Sequence, residues 1–258
     1  MMLGWIGRST TLWPRPIRYR SRAGTLPGWR AGPPKSDHPG GTNGCFGLGS
    51  LRCSLHWTSI PAGAKVLAGA GPFPPTIAAT EPWPPNIALA TRLLHPLGVV
   101  VVSTGDEPPL PFAEAAFDLV TSRHPSAVWW DEIARVLRPG GTYFAQHVGV
   151  IYLRKLIEYF VGPQPQTRIR GQLNPDTVDD EVAAAGLEVV DLRHEQIQLE
   201  FFDVGAVIYF LRKLSWVVPD FAVDKYRDKL LRMHQEIDAN GAFVTHSSRV
   251  LIEARKAG

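Results

Sequence analysis

Three apolar runs in this chain stop at polar side chains. TIAAT (76–80) ends in Glu81, VVVVSTG (99–105) runs into Asp106 and Glu107, and AFDLVTS (116–122) closes on Ser122, Arg123 and His124. A carboxylate accepts two hydroxyl hydrogen bonds at once, so Glu81 suits a vicinal diol such as that of a ribose. It also suits a cap on the turn that follows. Asp106 taken alone is an Asx-type turn residue. His124 is a general base if its imidazole reaches an acceptor hydroxyl, and a structural group if it does not. No metal site is expected, because Cys45 and Cys53 are the only cysteines and a structural zinc site takes about four ligands.

The elements around these residues alternate. TIAAT is a short strand. PNIALATRLLHPLG (85–98) has Ile87, Ala90, Leu93, Leu94 and Leu97 at helical spacing and stops at Gly98. VVVVS (99–103) is an uninterrupted β-branched run, expected to be a strand buried on both faces. AFDLVTS follows as a strand, WWDEIARVLRPGG (129–141) as a helix ended by Pro139 and Gly140, and TYFAQHV (142–148) as a strand. This alternation predicts an α/β fold, a Rossmann-like doubly wound and mostly parallel sheet. Beyond it, helices are expected within 152–160, 176–186, 203–217 and 223–241, with extended chain at 187–202 and a closing strand at 246–256.

The first 60 residues read differently. Residues 1–63 carry 8 Lys or Arg against one acid, Asp37, so a +7 segment joins a −4 body. Its Gly- and Pro-rich composition cannot bury enough apolar surface to offset chain entropy. It is expected to be a disordered N-terminal arm over 1–60, with the domain proper at 61–258, its core at 61–150 and helical additions at 151–258. Arginine without acids at the start also fits a mitochondrial targeting segment, whereas the default compartment is cytoplasmic. No run approaches the roughly 18 apolar residues of a membrane helix, so no membrane partner is expected.

GDEPPLPFAEAAFDLV (105–120) followed by DEIARVLRPGGTYFAQ (131–146), with the acid-ended strand TIAATE before both, resembles the class I S-adenosylmethionine-dependent methyltransferases. The group meant is the broad one that includes the ubiquinone-biosynthesis-type, or type 11, enzymes, and the resemblance covers about residues 64–150. It implies S-adenosyl-L-methionine as cofactor. It places the ribose on Glu81 and the adenine amino group on Asp106, with the backbone of Glu107 beside the ring. It puts Ser122, Arg123 and His124 next to methyl donor and acceptor. Asn-Pro-Pro-Tyr, found in many amine-modifying relatives, is replaced by SRHP (122–125), which turns the reading away from DNA-adenine and glutamine methylation.

One part of the pattern fails. VLAGAGPF (66–73) has Gly69 and Gly71 but Ala68 in place of an acid, and Gly71 stands only ten residues before Glu81. The usual interval from loop start to acid is about 20 residues, and Pro72, Pro74 and Pro75 forbid a helix between. The better registration takes PAGAKVLAGAG (61–71) as the remnant of the first crossover helix. The loop then falls near 50–60, where LRCSLHWTSI has no glycine. The expectation is that the first strand and its glycine loop are replaced or missing.

FFDVGAVIYFLRKLSWVVPDF (201–221) is aromatic enough to be an inserted helical cover over an apolar acceptor pocket, or a stripe packed on the sheet. The expected function is methyl transfer to a small-molecule acceptor. The alternatives are a catalytically degenerate scaffold of the same fold and, more weakly, an RNA methyltransferase using the basic arm. Oligomeric state is left open.

Overall fold

The computed structural model describes residues 19–22, 53–57, 61–69, 72–105, 107–163 and 171–258. In chain order its elements are β1 (Tyr19–Arg22), β2 (Cys53–Trp57), α1 (Pro61–Ala68), β3 (Thr76–Glu81), α2 (Pro84–Leu94), β4 (Val100–Ser103), β5 (Phe117–Arg123), α3 (Trp130–Val136) and β6 (Leu137–Tyr152). There follow α4 (Arg154–Val161), β7 (Gln172–Leu173), α5 (Val178–Ala184), β8 (Leu187–Phe201), α6 (Val204–Lys213), α7 (Arg227–Asn240) and β9 (Phe243–Lys256). Most of the expected N-terminal arm lies outside the described residues. The chain divides into two compact units.

The first unit takes the described residues within 25–150, 168–195 and 248–258. Its strands run in the order β8, β9, β6, β5, β2, β3, β4, with β7 attached to β6. The pairs β2–β3, β2–β5, β3–β4, β5–β6 and β6–β7 are all parallel. Sequence order runs one way through β2, β3 and β4 and resumes on the other side of β2 with β5 and β6. That reversal is a topological switch point, and ligands of such sheets lie beyond the carboxyl ends of the strands there.

The first strand is therefore present, contrary to expectation. CSLHW fills the central position between β3 and β5, in parallel register with both, and α1 follows it as the first crossover helix. The five residues have no β-branched member and begin in a basic, glycine-rich stretch. Their strand state comes from the ladders on either side, a context that local propensity does not carry.

Two further expectations change. VVVVS forms an edge strand, with Val100 59% exposed, because the sheet ends at β4. The helix at 129–141 stops at Val136, and LRPGG enters β6: Leu137 pairs with Phe117 and Thr142 with Leu119. The surplus residues form a bulge in which Gly140 takes φ 73°. Lys256, at the end of β9, donates to the carbonyls of Ala134 and Leu137 (2.7 and 2.9 Å), which satisfies the open end of α3.

The core beneath α3 and α5 joins Val120, Ile133, Val136, Tyr143, Leu173, Val178, Val182 and Ile252. A smaller core under α1 and α2 joins Leu67, Ile77, Ala90 and Leu94. On β9 the buried carboxyl of Glu253 has Arg255 at 3.8 Å from one oxygen and no hydrogen-bond partner for the other among the described residues. Burial pushes this carboxyl up; Arg255 and Arg193 oppose that shift and Asp191 adds to it. A raised folded-state value means stability that is present below the unfolded value, near 4.3, and lost as pH rises through the folded one. Glu253→Gln is expected to raise stability at pH 7 by on the order of 1 kcal/mol and to change little at pH 4. Denaturant titrations at both pH values check this, and a less stable variant at pH 7 would contradict it.

The second unit takes the described residues within 1–24, 151–167 and 196–247. β1 pairs antiparallel with the end of β8, Tyr19 opposite Phe201. Phe160 packs edge-on against Phe221 and Tyr226, and with Phe201, Leu211, Met233 and Phe243 it builds this unit's own core. Asp203 caps α6 by accepting the Ala206 N–H (2.7 Å). In the aromatic stretch 201–221, Phe201 is core and Phe210 and Phe221 pack half-buried against it, while Tyr209 and Trp216 stay on the surface. No helix among the described residues is long and apolar enough to cross a membrane.

Candidate functional site

The carboxyl ends of β3, β2 and β5 are level. Thr80 pairs with Trp57, and Trp57 with Ser122. Glu81 and Arg123 therefore each stand one residue past that line, on opposite sides of β2. With strands about 4.8 Å apart, their backbones are separated by roughly 10 Å across the switch point.

Glu81 is 2% exposed. One carboxylate oxygen accepts the Trp83 N–H at 3.1 Å, so the side chain does cap the turn. Glu107 lies exposed in the loop after β4, and Asp106 lies outside the described residues.

That loop is held from below. Glu132 on α3 accepts the Leu110 N–H (2.7 Å), and Arg135, one turn on, bonds both Glu132 oxygens (2.6 and 2.8 Å) and the carbonyls of Leu110 and Phe112 (3.2 and 2.9 Å). The Arg135 hydrogen bond, with help from Leu110, keeps the Glu132 carboxyl below its usual value although burial opposes it. Leu110 is buried and Phe112 partly buried, which gives the loop an apolar inner wall. Neither Glu132 nor Arg135 is singled out by the sequence reading; an acid and an arginine three apart on a core-facing helix are the signal that was available.

At the end of β5, the Ser122 hydroxyl bonds the Tyr143 hydroxyl (2.8 Å), which bonds His147 Nε2 (3.0 Å). All three are buried. Burial pushes the Tyr143 phenol up and lowers His147 to about 4, so both are neutral at physiological pH. Tyr143, Ala145 and His147 share a face by strand alternation, the only trace of this chain of bonds in the sequence.

His124 takes φ 49°, the left-handed region, and its N–H donates to the Gln146 carbonyl (2.8 Å). Burial, then Arg249 and Arg123, lower its imidazole to about 3, against a hydrogen bond to the Gln146 side chain that favours the protonated ring. An imidazole with so little proton affinity is a poor base near neutral pH. Gly171, at φ 82°, enters β7 against this turn, and a Cβ there would collide with the Pro125 carbonyl oxygen and the Ser126 backbone. Gly171→Ala is expected to destabilise the protein by about 2 kcal/mol. Guanidinium unfolding measures it, and a variant as stable as the parent would show that the turn yields.

Residues 62–145 match the family model described as a methyltransferase domain. The match starts within α1, after the segment in which the sequence departs from the glycine-loop pattern. Among solved structures, a candidate methyltransferase from Bacillus halodurans aligns with TM-score 0.56 at 16% identity, over 80% of this chain and 93% of that one. YcgJ from Bacillus subtilis aligns with TM-score 0.53 at 15% identity, over 82% and 96%. A protein of unknown function from Deinococcus radiodurans aligns with TM-score 0.51 at 16% identity, over 80% of each chain. This is the class I methyltransferase fold. No curated protein sequence matches the chain. In this methyltransferase fold the expected site residues Glu81, Ser122, Arg123 and His124 gather at the carboxyl ends of β3 and β5, around β2.

Proposed function

We propose that the protein transfers a methyl group from S-adenosylmethionine to a small-molecule acceptor. The observation that carries this reading is the buried Glu81 carboxylate at the end of β3, beside the switch point of a parallel sheet. The residues fit the nucleoside end of the cofactor in their chemistry: Glu81 is a buried carboxylate at a strand end, the kind of group that accepts from ribose hydroxyls, and the loop after β4 is clamped to α3 close to the same edge of the sheet. Asp106 and Glu107 are the adenine-side contacts of the proposal. When bound, the cofactor supplies an electrophilic methyl group for direct displacement. The chain's own part is to bind, align and exclude water. Ser122 and His124 enter as neutral hydrogen-bonding groups at the end of β5, with no proton abstraction assigned to His124.

A second reading has its own observation. In the sequence, the residues between β2 and α1 are Thr58, Ser59 and Ile60, none of them a glycine that would let backbone approach a ligand closely. This favours a non-catalytic relative serving as a scaffold. Calorimetric titration of the purified protein with S-adenosylhomocysteine decides between them. Binding on the order of micromolar supports the transferase. No heat and no thermal shift from folded protein would leave the scaffold.

A further inference from the structure

A cleft of about 330 Å³ lies in the second unit, lined by Arg154, Lys155 and Glu158 of α4, Gln196 of β8 and His246 of β9. That volume is at the lower end for small-molecule sites. The backbone holds its walls together. Leu153 is buried and takes φ 50°, and its N–H donates to the His246 carbonyl at 2.8 Å. This bond fastens the start of α4 to β9, so the first turn of the helix and His246 face the same cleft. A left-handed leucine costs free energy and persists only where its surroundings over-determine it.

The lining groups are unequal in kind. Glu158 is the one carboxylate of the lining, and Arg154 Nε already donates to it at 2.7 Å. The rest of the Arg154 guanidinium keeps further N–H donors. Lys155 Nζ lies 3.7 Å from the Glu236 carboxylate, too far for a hydrogen bond, and 4.6 Å from the centre of the Phe243 ring. The ring holds the ammonium in place without taking up its N–H groups. The Lys155, Gln196 and His246 side chains make no hydrogen bond among the described residues. The cleft thus offers donors in surplus, and its carboxylate is engaged. A ligand that matches it brings acceptor oxygens and negative charge.

We propose that this cleft binds a small oxyanion, the phosphate or carboxylate group of a small molecule. Arg154 and Lys155 supply the counter-charges, and Gln196 and His246 supply further donors. The proposal goes beyond the cofactor reading and does not depend on it, because none of the residues assigned to the cofactor lines the cleft.

The test follows the His246 imidazole by NMR in the full-length protein at constant pH, with His246→Gln to identify its signals. Sodium phosphate, sodium succinate and sodium chloride are added at matched ionic strength. A saturable shift with phosphate or succinate is expected, with Kd on the order of 1 mM, and none with chloride. Saturation by phosphate alone assigns a phosphate group, and saturation by succinate alone a carboxylate. Lys155→Met keeps an apolar stem on Phe243 and is expected to weaken binding about 10-fold. Lys213→Met removes another ring-stacked lysine of the same unit, 5.7 Å from the Tyr209 ring and outside the cleft, and is expected to change nothing. Circular dichroism shows that both variants fold. Equal weakening by the two substitutions would reduce the effect to general charge and overturn the proposal. So would a chloride shift as large as the others, or no saturable shift with either oxyanion.

Discussion

Replacing Glu81 with alanine is expected to lower the affinity for S-adenosylhomocysteine about 100-fold or more. Two ribose hydroxyls donating to one carboxylate are charge-assisted hydrogen bonds worth about 1.5–3 kcal/mol each. Glu81 is buried, so little water competes for the carboxylate. Glu81→Gln keeps an acceptor for the Trp83 N–H and for one hydroxyl but loses the charge, and is expected to fall between the two. Calorimetry on both variants, with circular dichroism to show that the sheet persists, makes the measurement. An alanine variant that binds within twofold of the parent would reduce Glu81 to the turn cap that its bond to Trp83 already makes it.

The second large effect concerns the loop and not the ligand. Glu132→Ala removes the acceptor of the Leu110 N–H and the partner of Arg135 in one step. Removing the buried Glu132 carboxylate strands the Leu110 N–H and the half-exposed Arg135, and a loss of about 2 kcal/mol in unfolding free energy is expected. The loop over 105–112 loses its fastening at the same time, so S-adenosylhomocysteine affinity falls with it. The pH dependence has a definite sign. The folded-state carboxyl lies below its unfolded value near 4.3, so its contribution is complete above that value and is lost as pH falls through the folded one. The gap in stability between parent and Glu132→Gln is therefore expected to close on acidification. Urea unfolding of the parent and both variants between pH 3 and pH 7 tests it. A Glu132→Ala protein within about 0.5 kcal/mol of the parent would show that the clamp contributes nothing.

The parts legible in the sequence are those that local pattern controls. The periodicity of α2, the apolar runs of β3 and β5, and the acid or polar residues that close them are set by neighbours a few residues away, and they place Glu81, Ser122, Arg123 and His124 at strand ends. The combination of G-D-x-x-x-L-P-F, F-D-x-V and L-R-P-G-G pointed to the fold for the same reason.

Tertiary structure alone decided the rest. CSLHW becomes the central strand because β3 and β5 present unpaired ladders on both sides of it. The valines of β4 lie at an edge, because strand order, which distant segments determine, ends there. The Glu132–Arg135 clamp and the Ser122–Tyr143–His147 chain join residues 21 to 25 positions apart or lock one helix turn onto a distant loop. Arg123 shows the division most plainly. Its sequence says only that a cation ends a strand; that its Nε is buried with no acceptor among the described residues depends on what the folded chain brings around it.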